Sequence, residues 1–293
     1  MFNTFLTLSP AGDELTADFA LELIDREGLG SDAITDYLAV SFSSTDYVGH
    51  IFGPSSLEAE DNLLRLDRTL ARLLQAVDRK VGLQHVVVVL SSDHGGPEVP
   101  GALTELGLES DYVRPDQWDK APAIAALKKR FGIGEELIDQ YFHPYLYLNR
   151  KAIAEKGLDQ AEVEVAVAEA LSTFDGVALA VPSTALGGGR LPDTPTIRRV
   201  LNNFNPRRSG DIYLVFEPHR FINDFDGLVV ASTHGSPWSY DTYVPVILVV
   251  PGVPAATVLR RISPLDVAPT LSALVGAKPP SGAEGDPLPE LFR

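Results

Sequence analysis

The 293-residue chain contains no cysteine. Disulfide frameworks, thiolate nucleophiles, cysteine-ligated zinc and iron–sulfur clusters are therefore excluded. Cations are scarce: 24 Lys and Arg stand against 40 Asp and Glu, a net charge of −16 with a pI near 4.7. A surface that acidic repels a phosphate backbone, so no nucleic-acid partner is expected. No apolar run reaches the roughly 18 residues of a membrane span, and Met1 is not followed by a basic segment and an apolar stretch of the export-signal kind. The sequence is thus expected to hold neither a span nor a leader. Histidine is sparse as well, with six residues: His50, His85, His94, His143, His219 and His234. Any metal has to be held by these imidazoles and by carboxylates.

What is present is an ordinary globular composition, 45% hydrophobic and 22% charged, in a chain long enough for one large domain or two modest ones. Apolar spacings of three and four predict helices over 13–28 and 57–81, the second with a core-facing stripe of Leu63, Leu66, Leu70, Leu73, Leu74 and Val77. The β-branched run His85 to Ser91 predicts a strand with both faces covered, and Asp36 to Ser43 (DYLAVSFS) predicts another. Ser44 to Ser56 reads as a polar connection. The pattern changes between Pro97 and about Asp226, where strands are expected at 145–148, 177–181 and 211–216, with helices at 159–173 and 194–202. The main sheet is expected to resume at 228–232 and 244–250, before a last helix over 263–275. Alternating strands and helices imply an α/β sandwich with a mostly parallel central sheet. Its metal-binding core comprises 1–96 and 227–293, and 97–226 forms an inserted α+β cap lobe. Gly187 to Gly189 lack the Lys-Ser/Thr of a phosphate loop and read as a flexible turn.

Three segments share one form, an apolar strand followed by a polar turn holding Asp or His: SFSSTDYVGH, VVVLSSDHGG and VVASTHGS. In open α/β sheets ligands sit beyond the carboxyl ends of strands, so residues far apart in sequence can converge there. Two imidazoles and a carboxylate suit zinc. Asp46, His50 and His234 could hold one ion, while Asp93 and His94 could supply half of a second site. Any one such turn is usually only a turn; three of them, two pairing Asp with His, are harder to dismiss. His85, His143 and His219 have no carboxylate in a comparable strand-end setting and read as structural or surface residues. A Ser–His–Asp triad using Ser44 or Ser92 is disfavoured, because no G-x-S-x-G elbow is present. Arg207 and Arg208 read as a solvated turn.

The stretches SSTDYVGHIFGPSSLEAEDNLLRLD, LSSDHGG, STHGSPWSYDTYVPVIL and SPLDVAPTLSALVG resemble the alkaline phosphatase superfamily. The resemblance is to the branch of type I phosphodiesterases/nucleotide pyrophosphatases and phosphate-irrepressible alkaline phosphatases. It covers nearly the whole chain outside the insert, and Gly53, Pro54, Ser55 and Glu58 match as well. The resemblance implies an alkaline-phosphatase-like fold, a small phosphorylated substrate and two zinc ions. One would be bound by Asp46, His50 and His234, the other partly by Asp93 and His94. In such enzymes the ions lie about 4 Å apart and clamp the attacking and leaving oxygens of an in-line displacement by a Thr or Ser nucleophile. It further implies a periplasmic or secreted parent protein. Phosphodiesters are the alternative substrate class; a non-catalytic metal-binding relative is the alternative role. A cysteine-derived sulfatase is excluded, and a manganese-dependent phosphoglycerate mutase has a different ligand pattern.

One departure stands out. Family members carry an earlier strand ending in a further Asp ligand, then the nucleophile at a helix start. Upstream of Asp46 no apolar strand ends in Asp, and Thr4, Thr7 and Ser9 are too near the terminus to follow one. The chain is therefore expected to match the carboxyl-terminal part of such an enzyme. The catalytic nucleophile is unassigned, and the second zinc site is expected to be incomplete and hydrolysis by this chain alone to be impaired.

Overall fold

Ser9 in extended conformation followed by Pro10 starts the first long helix, Pro10–Arg26. A ring-locked φ suits the first helical turn, and the missing N–H has no helical partner to lose there. Gly28, at φ 67°, takes the left-handed conformation just beyond it. The structure is a computed structural model and describes residues 2–189, 191–225 and 227–292. Two compact units emerge from the contacts. One comprises Met1–Gly49, Ser55–Asp93 and Val244–Arg293, the other His50–Pro54 and His94–Tyr243. The lobe boundary expected at residue 226 falls on a residue outside the described ones.

In the first unit the Pro10–Arg26 helix packs on a second, Leu57–Lys80. Small buried residues, Ala17 and Ala20 on the first and Ala59 and Thr69 on the second, allow the close approach. Ser56 caps the second helix by accepting the Ala59 N–H, and Glu58, Glu60, Arg79 and Lys80 complement its dipole. Arg72 pairs with Asp18, and Lys80 with Asp25, across the two helices. The expected leucine stripe is corrected in part: Leu66, Leu70, Leu73 and Val77 are half-buried, Leu63 and Leu74 are exposed, and the fully buried face runs through Ala59, Asn62 and Thr69. Periodicity marks an apolar face, but the partner helix selects the face whose small side chains let it approach.

The strand Val88–Ser91 forms within the predicted span and pairs antiparallel with Val246–Val249, placing Val88 opposite Val249 and Ser91 opposite Val246. The strand expected at Asp36–Ser43 does not form; these residues carry no regular secondary structure. An apolar run becomes a strand only when a neighbour satisfies its N–H and C=O groups, and local sequence cannot supply that neighbour. The expected polar connection at 44–56 is also corrected, since Ser44–Phe52 is helical.

The second unit is built on a four-stranded antiparallel sheet, in the order Ile138–Phe142, Tyr145–Leu148, Ile212–Phe216, Val177–Pro182. Ile212–Phe216 is buried at every position. Its alternate residues divide between two cores, as a period of two requires. Ile212, Leu214 and Phe216 join Ile124, Val163, Val167 and Leu171 of the helices Pro122–Phe131 and Gln160–Leu171. Tyr213 and Val215 join Ile197 and Val200 of the helix Pro195–Asn202. Asp211, 1% exposed, accepts the Leu148 N–H at 2.7 Å and pairs with Arg150. Gly187 and Gly188, expected in a flexible turn, close the short helix Ser183–Gly188, and Gly189 at φ 64° ends it. The strand expected at 228–232 shortens to Leu228–Val229, in a hairpin with Asp224–Phe225.

The α/β class expected from the sequence holds. Among the described residues, Asp111–Tyr112 pairs in parallel with Arg220–Phe221, and the other ladders are antiparallel. No described helix is long and apolar enough to cross a membrane.

Candidate metal centre

Asp46 and His50 stand four residues apart on the Ser44–Phe52 helix, hence one turn apart on one face. The start of that helix is held from within the first unit. Asp13, 3% exposed, accepts the Ser44 N–H through Oδ1 at 3.0 Å and the Thr45 hydroxyl through Oδ2 at 3.2 Å. Asn62, 1% exposed, donates its amide to the Thr45 oxygen at 2.8 Å. A buried carboxylate 31 residues away thus caps the helix, which local sequence could not announce.

At the other end of the helix, the backbone N–H groups of Ala231 and Ser232 both donate to the His50 carbonyl, at 2.7 and 3.2 Å. They satisfy a carbonyl that the helix end leaves without a helical partner. The Ser232 carbonyl in turn accepts from His50 Nδ1 at 2.7 Å. The Ser232 hydroxyl donates to the Pro97 carbonyl at 2.7 Å, tying in the segment that follows His94.

These contacts bring three imidazoles of the second unit together. His50 Nε2 lies 3.1 Å from His234 Nε2, and the His94 ring stacks on His234 with centroids 3.4 Å apart and planes at 18°. Two nitrogens on a tetrahedral zinc, each at about 2.0–2.1 Å, stand roughly 3.3 Å apart. The His50–His234 spacing fits that requirement. The tautomers assigned from the hydrogen bonds fit as well. His50 Nδ1–H donates to the Ser232 carbonyl and His94 Nδ1–H to the Gly95 carbonyl at 2.9 Å, making Nε2 the ligand nitrogen in both. Asp46 lies one turn before His50 on the same helix, and Asp93 immediately precedes His94 in the chain. Of the five residues singled out in the sequence, His50, His94 and His234 are brought together within the second unit.

The remaining histidines have other roles. His85 ends a short 3-10 turn. His219, at φ 64°, stacks on Tyr240 and donates its backbone N–H to the Tyr240 hydroxyl. His143 sits closer to the centre than its sequence suggested. Burial pushes the Tyr141 phenol well up and the His143 imidazole down, the latter partly opposed by the Gly235 carbonyl. The phenol therefore donates to His143 Nδ1 at 2.7 Å, and Nε2–H points to the Gly235 carbonyl at 3.3 Å. Gly235 itself adopts φ 102°, and a Cβ there would stand 2.7 Å from the His143 ring. Sequence reasoning also missed Asp13, Asn62 and Asp241, all buried. No periodicity or motif distinguishes them from surface carboxamides and carboxylates.

Residues 4–237 match the type I phosphodiesterase / nucleotide pyrophosphatase family. Among curated relatives, alkaline phosphatase PafA of Elizabethkingia meningoseptica is 34% identical over 289 residues, covering 97% of this chain and 51% of the relative. Alkaline phosphatase PhoV of Synechococcus elongatus is 31% identical over 293 residues, covering 97% and 50%. A Myroides odoratus protein called a calcium-transporting ATPase is 34% identical over 289 residues, covering 96% and 51%. The crystal structure of wild-type PafA superposes with a TM-score of 0.87 at 32% identity, covering 98% of this chain and 54% of that one. The chain thus spans about half the length of the curated relatives it matches. With that sequence match and that shared fold, the chain belongs to the type I phosphodiesterase / nucleotide pyrophosphatase family, within the alkaline phosphatase superfamily.

Proposed function

We propose that the chain carries the metal-holding machinery for zinc-dependent hydrolysis of phosphate monoesters. Asp46, His50 and His234 hold one ion, and Asp93 and His94 contribute to a second. The observation that carries this reading is the convergence of His50, His94 and His234 from three distant segments, with Nε2 atoms of His50 and His234 3.1 Å apart. Bound zinc supplies Lewis acidity and neutralises charge on phosphoryl oxygens. The chain's own part is orientation: Ser232 and Gly95 carbonyls fix the His50 and His94 tautomers, and Asp46 and Asp93 add negative charge. The names of the relatives PafA and PhoV favour monoesters. The substrate is a small phosphorylated molecule, and the parent protein acts in the periplasm or outside the cell.

The resemblance places the Thr or Ser nucleophile and a further Asp ligand in a segment that these residues do not match. By themselves they are therefore expected to hydrolyse an aryl phosphate orders of magnitude more slowly than a protein that has the nucleophile. Metal-free protein dialysed against zinc should retain at least one ion by native mass spectrometry and melt at higher temperature. Alanine at His50 or His234 should abolish both effects. A chain that retains no zinc, or variants that retain it unchanged, would refute the ligand assignment. Turnover of p-nitrophenyl phosphate at the level of a complete enzyme would refute the impairment.

A further inference from the structure

Downstream of His234 lies a buried carboxylate that the ligand assignment leaves unused. Asp241, 4% exposed, belongs to the single turn Ser239–Thr242. Its Oδ2 accepts both the Ser236 N–H at 2.7 Å and the Ser236 hydroxyl at 2.5 Å, so it grips the chain two residues after His234. Its backbone carbonyl accepts the Gly95 N–H at 2.8 Å, which grips the chain one residue after His94. A side chain at Gly95 would collide with the Tyr240 carbonyl, so only glycine permits this approach. One residue thus holds both histidine-bearing loops.

The clamp is itself fixed to the sheet. Trp238 donates its indole N–H to the Phe216 carbonyl at 2.9 Å, and the Tyr240 hydroxyl accepts the His219 N–H at 3.0 Å. The Trp238 backbone N–H donates to the Ser236 hydroxyl oxygen at 3.3 Å, completing a small closed network. The geometry required for ligand convergence is therefore referred to a rigid strand rather than to a free loop. Holding Ser236 needs only a neutral acceptor, which asparagine would provide. Its other oxygen, Oδ1, is buried without a hydrogen-bond partner among the described residues. Burial raises the Asp241 carboxyl above its ordinary value, opposed by the hydrogen bonds from Ser236 and, less, by His94.

We infer that Asp241 is a positioning residue of the metal centre: it locks the His94 and His234 loops together so that their imidazoles converge. This deepens the function proposed above and rests on it for its purpose, but its geometry can be tested without metal. In the metal-free chain, long-range ¹H–¹⁵N spectra report the tautomer and environment of each imidazole. Asp241→Ala should shift the His94 and His234 signals and leave His85 in place. Asp241→Asn, which keeps an acceptor for Ser236, should perturb them less. Val163→Ala, a fully buried position in the core of the same unit on which Trp238 does not pack, controls for lost stability and should leave all of these signals unmoved.

In the loaded protein, Asp241→Ala should weaken zinc about 10- to 100-fold in a chelator competition, as loss of a residue that orients ligands does, and should alter the visible spectrum of bound cobalt. Ser236→Ala should weaken zinc in the same way, and the two substitutions together should cost no more than Asp241→Ala alone. Unmoved His94 and His234 signals in Asp241→Ala, or equal effects from Val163→Ala, would overturn the inference. Failure of the wild-type chain to bind zinc would instead sink the proposed function, while the imidazole spectra would still decide whether Asp241 positions the loops.

Discussion

Asp13→Ala is the substitution that most directly probes how the helix carrying Asp46 and His50 is set. Asp13 is buried in the first unit and accepts from two donors, the Ser44 N–H and the Thr45 hydroxyl, and Thr45 in turn receives the Asn62 amide. Hydrogen bonds to a charged acceptor contribute about 1.5–3 kcal/mol each, and an orphaned buried donor costs about 1–3 kcal/mol. Loss of a helix cap alone costs about 0.5–2 kcal/mol. These contributions overlap, since the Ser44 bond is the cap, so the expected destabilisation is about 3 kcal/mol. In a unit of this size that corresponds to roughly 6–12 °C in melting temperature. Asp13→Asn should cost only about 1 kcal/mol, because its carbonyl still accepts the Ser44 N–H while its amide faces Thr45. Urea denaturation followed by circular dichroism measures both variants. Because Asp46 and His50 share the helix, Asp13→Ala should also weaken zinc about tenfold where Asp13→Asn leaves it near wild type. Alanine within about 0.5 kcal/mol of wild type, or asparagine as harmful as alanine, would refute the view that this cap sets the helix.

Three further outcomes are expected. Gly235→Ala places a side chain at φ 102° against the His143 ring and should cost about 1–3 kcal/mol, with loss of tight zinc retention by native mass spectrometry. Asp211→Ala leaves the buried Leu148 N–H without its acceptor and should cost about 2–3 kcal/mol in urea denaturation; a loss under about 0.5 kcal/mol would contradict the role assigned to it. Burial raises the Asp119 carboxyl, but the N–H groups of Ile138 and Leu137 and the Lys128 ammonium outweigh it and hold the pKa below the ordinary value. A carboxyl depressed by folding stabilises the native state above its unfolded pKa, about 3.9, and that contribution is lost as pH falls through the lower folded value. The stability gap between wild type and Asp119→Asn should therefore be constant near neutrality and shrink below about pH 4; a gap that widens on acidification would reverse the assignment.

Much of the second unit was legible because its segments bury complete faces. The strand Tyr145–Leu148 and the cores of the helices Gln160–Leu171 and Pro195–Asn202 lie where apolar patterning puts them. The helix Pro122–Phe131 and the strand Ile138–Phe142 escaped notice: the strand carries exposed Asp139 and Phe142 and so shows no clean alternation. In the first unit, the apolar run at 36–43 implied a ladder partner that the described residues do not provide, and Leu63 and Leu74 implied burial that the neighbouring helix does not give them.

For the candidate centre, residue chemistry and motif order alone singled out Asp46, His50, Asp93, His94 and His234, because few side chains can hold a divalent cation and their order along the chain is distinctive. The absence of cysteine had already narrowed the choice. Tertiary structure alone decided that Ser44–Phe52 is a helix, that Asp13 caps it, that the Ser232 carbonyl accepts from His50, and that Asp241 bonds to the loops carrying His94 and His234. The physical reason is that ligand identity is a property of single side chains, whereas orientation comes from hydrogen bonds between backbone and side chains many residues apart, which no local pattern encodes.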